Sequence, residues 1–358
     1  MIVLGIETSC DETACAIVKD GTEILANVVA SSAEMHTKTG GIIPENAARE
    51  QVQSIIPVVQ EALSKTSGVL TPDPLNKWVA DNIDAIAVTV GPGLIGSLLV
   101  GVETAKTLSH LWNKPIIPVN HLLGHVYANW LNWEGKTQKP DFPILCLLVS
   151  GGHTDLVLMA DHNKMTWIGG TRDDAAGEAF DKCARLMGLP YPGGPSIAAA
   201  AKKFDPQKNK LEIKLPRPMI DEDNFDWSFS GLKTAVLREV EKLKSNNKFD
   251  NAIICELSYE IQRAVADVLV DKTLKAVDIY HPKTLLLAGG VAANNYLKEA
   301  FTTKIKELDF KVSLIVPPAK LCTDNAAYIA SAAFFSSKKP IPWRDVAANP
   351  ELTITTKI

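Results

Sequence analysis

The chain of 358 residues lacks several features that would assign it to a class at once. Its six cysteines include no Cys-x-x-Cys pair, and a chain of this length needs no disulfide staples, so we expect reduced thiols. A net charge of −4 excludes a protein coated in positive charge for nucleic acid, although it leaves room for a local basic patch. With 22 glycines and 21 prolines, neither collagen-like repeats nor broad disorder is expected.

Targeting signals are also lacking. The N-terminal stretch has no basic segment of the secretory kind, and no arginine precedes Arg49, which argues against a transit peptide. One uncharged run, Ala85 to Val102, is long enough to resemble a membrane span. Because it contains Pro92 and four glycines, it predicts instead a buried strand over 83–90, a turn, and a helix from about Leu94. We therefore expect a cytoplasmic protein without membrane association.

What the sequence does have is a repeated order of elements. Hydrophobic residues make up 46% of the chain, which suits a large core, and its length favours two domains. A strand, a polar turn and two further strands are predicted near the N-terminus, over 2–6, 14–18 and 23–30. The same order recurs about 140 residues later, over 144–149, 155–159 and 165–169. The recurrence predicts a duplicated α/β architecture, although two hairpins can also look alike by chance.

The other predicted elements lie between and after these copies. The helices are predicted over 45–65, 96–112, 175–186, 194–203, 230–244, 251–280 and 324–335, and the strands over 115–119, 284–288 and 312–316.

Two polar turns are candidates for phosphate binding. Ser9–Thr13 and Ser150–Thr154 each join two strands and combine free backbone N–H groups with small hydroxyl side chains. One such turn is weak support, but two at matching positions of a duplicated fold favour a nucleotide site. Gly193-Gly194 and Gly289-Gly290 offer two more places where a base or ribose could approach the backbone, with ordinary turn glycines as the alternative.

A metal site is indicated by two histidines. His121 and His125 stand four residues apart, which puts both on one face of a helix. Asp324 is the candidate third ligand, and two imidazoles with one carboxylate suit Fe(II) or Zn(II). A chance histidine pair and a helix-capping role for Asp324 are the alternatives. A zinc protease of the His-Glu-x-x-His type is a poor interpretation, since Leu122 occupies the position of the glutamate.

Basic residues concentrate between Ala200 and Arg217. They form either a solvated face or, beside a nucleotide site, a contact for an RNA backbone. The six basic residues are Lys202, Lys203, Lys208, Lys210, Lys214 and Arg217.

Together these residues resemble one family closely, the tRNA N6-adenosine threonylcarbamoyltransferases of the actin and sugar-kinase superfamily. The motifs that carry the resemblance are Gly5–Thr13, Gly40-Gly41 with Pro44-Glu45, Gly91–Ser97, His121-x3-His125, Leu148–Thr154, Asp173–Lys182, Tyr191–Pro195, Phe229–Lys233, Gly289–Asn294 and Cys322–Asn325. His153 and the Ser9–Glu12 turn are similar to the bacterial and mitochondrial branch. Thr39, where tyrosine is common, and Gln51, where histidine is expected, depart from the pattern.

The resemblance implies an α/β chain with the duplicated actin/sugar-kinase-like (ASKHA) fold, two domains around a nucleotide cleft. The first domain would be 1–120 with 330–358, and the second 121–329 with a helical basic insertion around 175–250. It also implies one divalent metal per subunit, bound by His121, His125 and Asp324, with Fe(II) favoured and Zn(II) the alternative.

The implied activity is acyl transfer in tRNA modification. The threonylcarbamoyl group passes from threonylcarbamoyl-AMP to N6 of adenosine 37, in tRNAs that read codons beginning with A, and AMP is released. The implied substrate-binding residues are Leu148, Val149, Ser150, Gly151, Gly152, Asp181, Gly194 and Asn294. Our hypothesis is that Asp11 or Glu12 orients or deprotonates the adenosine amine, with plain hairpin capping as the alternative.

Partners and rival functions follow from the same resemblance. Bacterial members are similar to each other in working with a shorter, metal-free paralogue and a P-loop ATPase, whereas mitochondrial members act without them. The rival functions are a sugar or acetate kinase of the same superfamily, in which the metal ligands would have no purpose, and a non-catalytic ATP-binding assembly module.

Overall fold

The computed structural model describes residues 1–32, 35, 41–69, 71–136, 138–207, 213–336 and 340–356, and the chain divides into two compact units. Unit 1 contains Met1–Pro140, Asp161–Met165 and Pro317–Ile358, and unit 2 contains Asp141–Ala160 and Thr166–Val316. Four residues of the sequence motifs lie outside the described residues, namely Thr39, Gly40, Lys208 and Lys210.

Unit 1 is built on a five-stranded sheet in the order β3-β2-β1-β4-β5. Its strands are β1 (Ile2–Glu7), β2 (Glu12–Lys19), β3 (Glu23–Ser31), β4 (Ala85–Gly91) and β5 (Ile116–Asn120). The described helices of unit 1 are α1 (Pro44–Ser67), α2 (Pro72–Asn82), α3 (Ile95–Trp112), α4 (His121–Tyr127), α10 (Ala319–Cys322) and α11 (Ala327–Phe335). β1 pairs antiparallel with β2 and parallel with β4, and these strands are apolar runs buried under helices on both faces.

Unit 2 has a second five-stranded sheet in the order β10-β9-β6-β7-β8. Its strands are β6 (Ile144–Val149), β7 (Thr154–Asp161), β8 (Lys164–Gly170), β9 (Thr284–Ala288) and β10 (Ser313–Ile315). The described helices of unit 2 are α5 (Ala176–Met187), α6 (Gly193–Ala201), α7 (Ser230–Ser245), α8 (Asn251–Tyr280) and α9 (Asn295–Ile305). β6 pairs antiparallel with β7 and parallel with β9.

The two sheets share one topology. Read from its β8 edge, the second sheet has the order β8-β7-β6-β9-β10, which repeats β3-β2-β1-β4-β5 of the first. In both, a first strand pairs with an antiparallel neighbour on one side and a parallel neighbour on the other. The predicted duplication is confirmed, and a chance likeness between two hairpins is not needed to explain the sequence pattern.

Three described helices, α2, α9 and the four-residue α10, were not predicted. α2 begins after Thr71 with proline in its first turn, and it buries only Val79, so its apolar periodicity is weak. α9 begins after Asn294 and buries Leu297 and Phe301. For α2 and α9 the start signal lay in the capping and proline residues rather than in the hydrophobic pattern.

The unit boundaries differ from the predicted domain boundaries at 120 and 330. α4 follows β5 directly and packs against α11, so residues 121–140 and 317–329 belong with unit 1. The hydrophobic pattern did not show this, because the packing partner of α4 lies about 200 residues further along the chain.

The apolar run at 85–102 folds as predicted, into β4, a turn and the start of α3. None of the helices in the described ranges combines the length and the hydrophobicity that crossing a bilayer requires.

Candidate functional site

The three predicted metal ligands lie together in unit 1. His121 Nε2 and His125 Nε2 are 3.8 and 3.3 Å from Asp324 Oδ1, and one ligand atom from each residue lies within 4.8 Å of the others. The Asn120 side-chain oxygen accepts the Leu122 N–H at 2.9 Å and so caps α4, which begins at His121. The cap aligns the two histidines on one face, and the segment between α10 and α11 supplies Asp324.

Glu7 is a site residue that was not assigned a role from the sequence. It ends β1, is fully buried, and accepts the Thr89 hydroxyl at 2.7 Å through Oε2. The same oxygen lies 3.0 Å from His121 Nδ1, and Ser9 Oγ lies 3.2 Å from that nitrogen. A proton on Nδ1 is therefore held by Glu7, which leaves Nε2 free to coordinate. An acidic residue closing an apolar strand was the available sequence signal.

Two carboxylates act on the histidines of this group. Burial disfavours the charged form of His121, but the carboxylates of Glu7 and Asp324 outweigh it and raise the pKa of this imidazole to about 9. Burial also opposes the charge of Asp324, yet the two imidazoles hold the pKa of its carboxyl below the usual range. Burial lowers the pKa of His125. Surroundings that attract a proton to His121 also favour a cation bound by the three ligands.

Asp11 and Glu12 lie in the same unit, in the turn that begins at Ser9. Glu12 Oε1 accepts the Ser31 hydroxyl at 2.8 Å. Burial raises the pKa of Glu12 to about 9, and the charge of Asp11 and a hydrogen bond with it add to the shift. This shift favours the neutral form of the Glu12 carboxyl. That Asp11 or Glu12 orients or deprotonates the adenosine amine, with hairpin capping as the alternative, stays a prediction.

The predicted phosphate-binding turn of unit 2 follows β6. Leu148 and Val149 are buried strand residues, so they offer a ligand only backbone atoms. Ser150 N donates to His153 O at 2.8 Å, and Ser150 Oγ accepts the His153 N–H at 3.2 Å, which closes the turn. A Cβ added at Gly151 or Gly152 would meet no atom within 4 Å. This turn thus presents an open backbone surface.

Asp181, Gly194 and Asn294 also lie in unit 2. Asp181 Oδ1 accepts the Gly193 N–H at 2.6 Å, and burial raises the pKa of this carboxyl. Gly194, in the first turn of α6, again has no atom within 4 Å of an added Cβ. Asn294 caps α9 by accepting the Leu297 N–H at 3.1 Å. Its amide donates to Gln262 Oε1 at 3.0 Å, so this asparagine has a structural role of its own.

Of the described basic residues between Ala200 and Arg217, one forms ion pairs within the protein and three are exposed. Arg217 Nε donates to Asp267 Oδ2 at 2.9 Å, and its guanidinium also pairs with the buried Glu260 of α8. This arginine is therefore a structural residue and not a free contact for RNA. Lys202, Lys203 and Lys214 are exposed.

Solved structures resemble the chain in fold. Component A of the (R)-2-hydroxyglutaryl-CoA dehydratase of Acidaminococcus fermentans is 16% identical with a TM-score of 0.51. The alignment covers 93% of this chain and 98% of that protein. HypF of T. kodakarensis is 12% identical with a TM-score of 0.57. The alignment covers 93% of this chain and 46% of that protein. At such identities the likeness concerns the fold alone, which is the predicted actin/sugar-kinase-like (ASKHA) fold.

Sequence relatives are much closer. The family profile of TsaD, tRNA N6-adenosine threonylcarbamoyltransferase, matches residues 23–331. A protein of that name from Dehalococcoides mccartyi is 50% identical over 94% of this chain and 93% of its own length. One from Thermomicrobium roseum is 46% identical over 95% of this chain and 93% of its own length. The chain therefore belongs to the tRNA N6-adenosine threonylcarbamoyltransferase family.

Proposed function

We propose that the chain transfers the threonylcarbamoyl group from threonylcarbamoyl-AMP to N6 of adenosine 37, in tRNAs that read codons beginning with A. Membership of the family over nearly the whole length supports this acyltransferase activity. The observation that carries it is the approach of His121, His125 and Asp324 beside the Ser9–Glu12 turn. In the reaction, N6 bonds to the carbamoyl carbon, the bond from that carbon to the phosphate oxygen breaks, and AMP leaves with the electron pair.

The metal ligands of this proposal are His121, His125 and Asp324. Their donor set fits a divalent cation, because Glu7 holds the Nδ1 side of His121 and the local charge is negative. Fe(II) suits two imidazoles and one carboxylate with open positions, with Zn(II) as the alternative. A cation bound there would supply Lewis-acid polarisation of a carbamoyl or threonyl oxygen.

The adenylate is held, in this proposal, by the residues of unit 2. The open turn offers the backbone N–H groups of Gly151 and Gly152 to the phosphate, and these stabilise charge on the departing AMP, whereas the Ser150 N–H is bonded to His153 O within the turn. Leu148 and Val149 contribute backbone atoms only. Asp181 binds ribose hydroxyls, and Gly194 leaves room beside it. Asn294 contributes from the start of α9, where its capping bond already orients it.

The proton lost from N6 goes, in this proposal, to the Asp11–Glu12 pair. Because burial raises the pKa of Glu12, we assign the acceptor role to Asp11 and the role of orienting Asp11 to Glu12. Replacing Asp11 by Asn should abolish transfer, whereas Glu12→Gln, which still has a hydrogen to donate to Asp11, should retain part of it. Loss of transfer in Glu12→Gln but not in Asp11→Asn, with adenylate binding intact, would instead favour Glu12 as the acceptor.

The proposed partners are tRNA, threonylcarbamoyl-AMP, a shorter metal-free paralogue and a P-loop ATPase, all in the cytoplasm. The two protein partners are those that the resemblance implies for bacterial members, and the bacterial source of the relatives favours that branch. The adenylate would come from a separate synthase.

A transfer assay tests the proposal. The metal-loaded protein is incubated with synthase, threonine, bicarbonate, ATP and an unmodified tRNA, with and without the two partner proteins, and nucleosides are analysed by mass spectrometry. We expect threonylcarbamoyladenosine from the wild type and none from Asp324→Asn. Product without partners would contradict their necessity. No product under either condition, while another transferase is active with the same partners, would overturn the proposed activity.

A further inference from the structure

We infer that Gln51 is a positioning residue for the Ser9–Glu12 turn and, through it, for the Asp11–Glu12 pair. The inference rests on the proposed role of that pair. Gln51 lies on α1 and is only 1% exposed. Its Nε2 donates to the carbonyl oxygens of Cys10 at 3.1 Å and of Glu12 at 3.0 Å. One side chain thus bonds the backbone on both sides of Asp11.

The two bonds identify which end of the amide faces the turn. Only the NH₂ end of glutamine carries hydrogens, and two carbonyl acceptors need both of them. The other end, Oε1, is buried and has no hydrogen-bond partner among the described residues. A buried acceptor without a donor lowers stability. The placement of Gln51 is therefore better explained by what its NH₂ group holds than by its net contribution to stability.

Other elements hold the rest of the turn. Leu94 N, at the start of α3, donates to Ser9 O at 2.8 Å, and Ser97 Oγ donates to Cys10 O at 3.0 Å. On the other side, Ser32 Oγ donates to Asp11 O at 2.6 Å. Gln51 adds the bond from α1 to the Glu12 carbonyl. Without it, the Glu12 end of the turn loses its tie to α1 while the Ser9 end remains attached to α3.

Histidine, which the family resemblance leads one to expect here, is not equivalent to glutamine. A neutral imidazole carries a single N–H and can donate fully to only one of the two carbonyl groups. Methionine keeps the length and flexibility of the side chain but donates nothing. We therefore expect Asp11 and Glu12 to be positioned best in wild type, less well in Gln51→His and least well in Gln51→Met.

Single-turnover transfer by the metal-loaded enzyme, with its partners, tests the inference. With saturating threonylcarbamoyl-AMP and tRNA, Gln51→Met should slow transfer about 100-fold, because a catalytic group displaced by about 1 Å costs this much. The affinities for both substrates and the metal content should stay within twofold. Gln51→His should recover part of the rate. Gln60→Leu, an exposed glutamine on the same helix, is the matched control and should behave as wild type.

Each outcome has a separate meaning. A Gln51→Met rate equal to that of Gln60→Leu overturns the inference. Parallel losses of rate, adenylate affinity and metal content also overturn it, since they indicate a general structural role. If Gln51→Met does not fold, the comparison of Gln51→His with wild type decides, and an unchanged rate for that variant overturns the inference. A wild-type enzyme that forms no product contradicts the proposed function instead.

Discussion

At the scale of single residues, the site depends on a carboxylate that no ligand would touch. Glu7 is fully buried, and a buried charge persists only where hydrogen bonds compensate it. It has such bonds from Thr89 and from the Ser9 N–H, and it also faces His121 Nδ1. These contacts therefore fix the ring of His121.

We predict that Glu7→Gln weakens metal binding about 10- to 100-fold, the usual effect of removing a residue that orients a ligand. The glutamine keeps the shape but has no negative charge to hold the Nδ1 proton of His121. Affinity is measured by competition with a chelator. Glu50→Gln, at an exposed position of α1, is the control and should bind as wild type. Equal affinities in Glu7→Gln and wild type would contradict the role of Glu7.

A second residue-scale prediction concerns Glu12 and pH. Its pKa is about 9 in the folded protein against an ordinary 4.5, so the folded state binds this proton more tightly than the unfolded chain does. The associated stability is complete below the ordinary pKa and is lost as pH rises towards 9. Glu12→Gln has no such proton, so its stability does not change in this way with pH. Between pH 6 and pH 9 its free energy of unfolding should therefore rise, relative to that of wild type, by at least about 1.4 kcal/mol, the equivalent of one pKa unit.

Urea unfolding at several pH values measures this difference. The difference in free energy of unfolding between Glu12→Gln and wild type should grow steadily with pH. A difference that stays constant from pH 6 to pH 9 would show that the pKa of Glu12 is not raised.

At the scale of elements, the start of α6 shows why two adjacent glycines are not equivalent. A Cβ on Gly193 would lie 2.5 Å from Asp181 Cα and 2.6 Å from Phe180 O, so α5 and α6 approach closely only with glycine there. A Cβ on Gly194 would meet no atom within 4 Å. Gly193 is therefore needed for the close packing of α5 and α6, whereas the space beside Gly194 is not filled by protein atoms.

The pair therefore makes a matched test. Gly193→Ala should lower the free energy of unfolding by about 1–3 kcal/mol through overpacking. Gly194→Ala should leave the free energy of unfolding unchanged within about 0.5 kcal/mol. It should weaken the binding of threonylcarbamoyl-AMP about tenfold, or by about 1.4 kcal/mol. Chemical unfolding and titration calorimetry give the two values. Wild-type adenylate affinity in Gly194→Ala would remove Gly194 from the substrate site.

At the scale of the whole molecule, the C-terminal segment of the chain belongs to unit 1, together with the N-terminal segment. Residues from Pro317 onward join unit 1, and in this way Asp324 reaches His121 and His125. The metal group thus connects the segment around α10 and α11 to the segment that follows β5. A bound cation would cross-link two parts of unit 1 that are far apart in sequence.

We predict that removing the metal destabilises unit 1 selectively. At a free metal concentration 1,000 times the dissociation constant, binding contributes about 4 kcal/mol. Chelation should therefore increase amide hydrogen exchange in β1, α4 and α11, measured by mass spectrometry. Strands β6 and β9 of unit 2 serve as the internal control and should exchange as before. Equal increases in both units would contradict a metal site confined to unit 1.

Much of this architecture could be predicted from local pattern. β6 and β9 are continuous apolar runs, and their predicted limits match the observed ones. α8 was also predicted over its observed range. The first helix of unit 1 and the helix after Leu94 were each placed within two residues of their observed starts. These elements follow from periodicity, which is a property of neighbouring residues.

Pattern and motif along the chain are enough to predict the duplicated order of strands, the histidine pair His121 and His125, and the family. Such features are local or are repeated along the chain. The motifs also named Asp324 as the third ligand, and the tertiary structure brings it to the histidines. No sequence pattern indicated that Glu7 lies behind His121 or that Gln51 bonds the Ser9–Glu12 turn. The reason is physical: these contacts join residues of separate elements, and their distances depend on how helices pack on a sheet, which no local periodicity encodes.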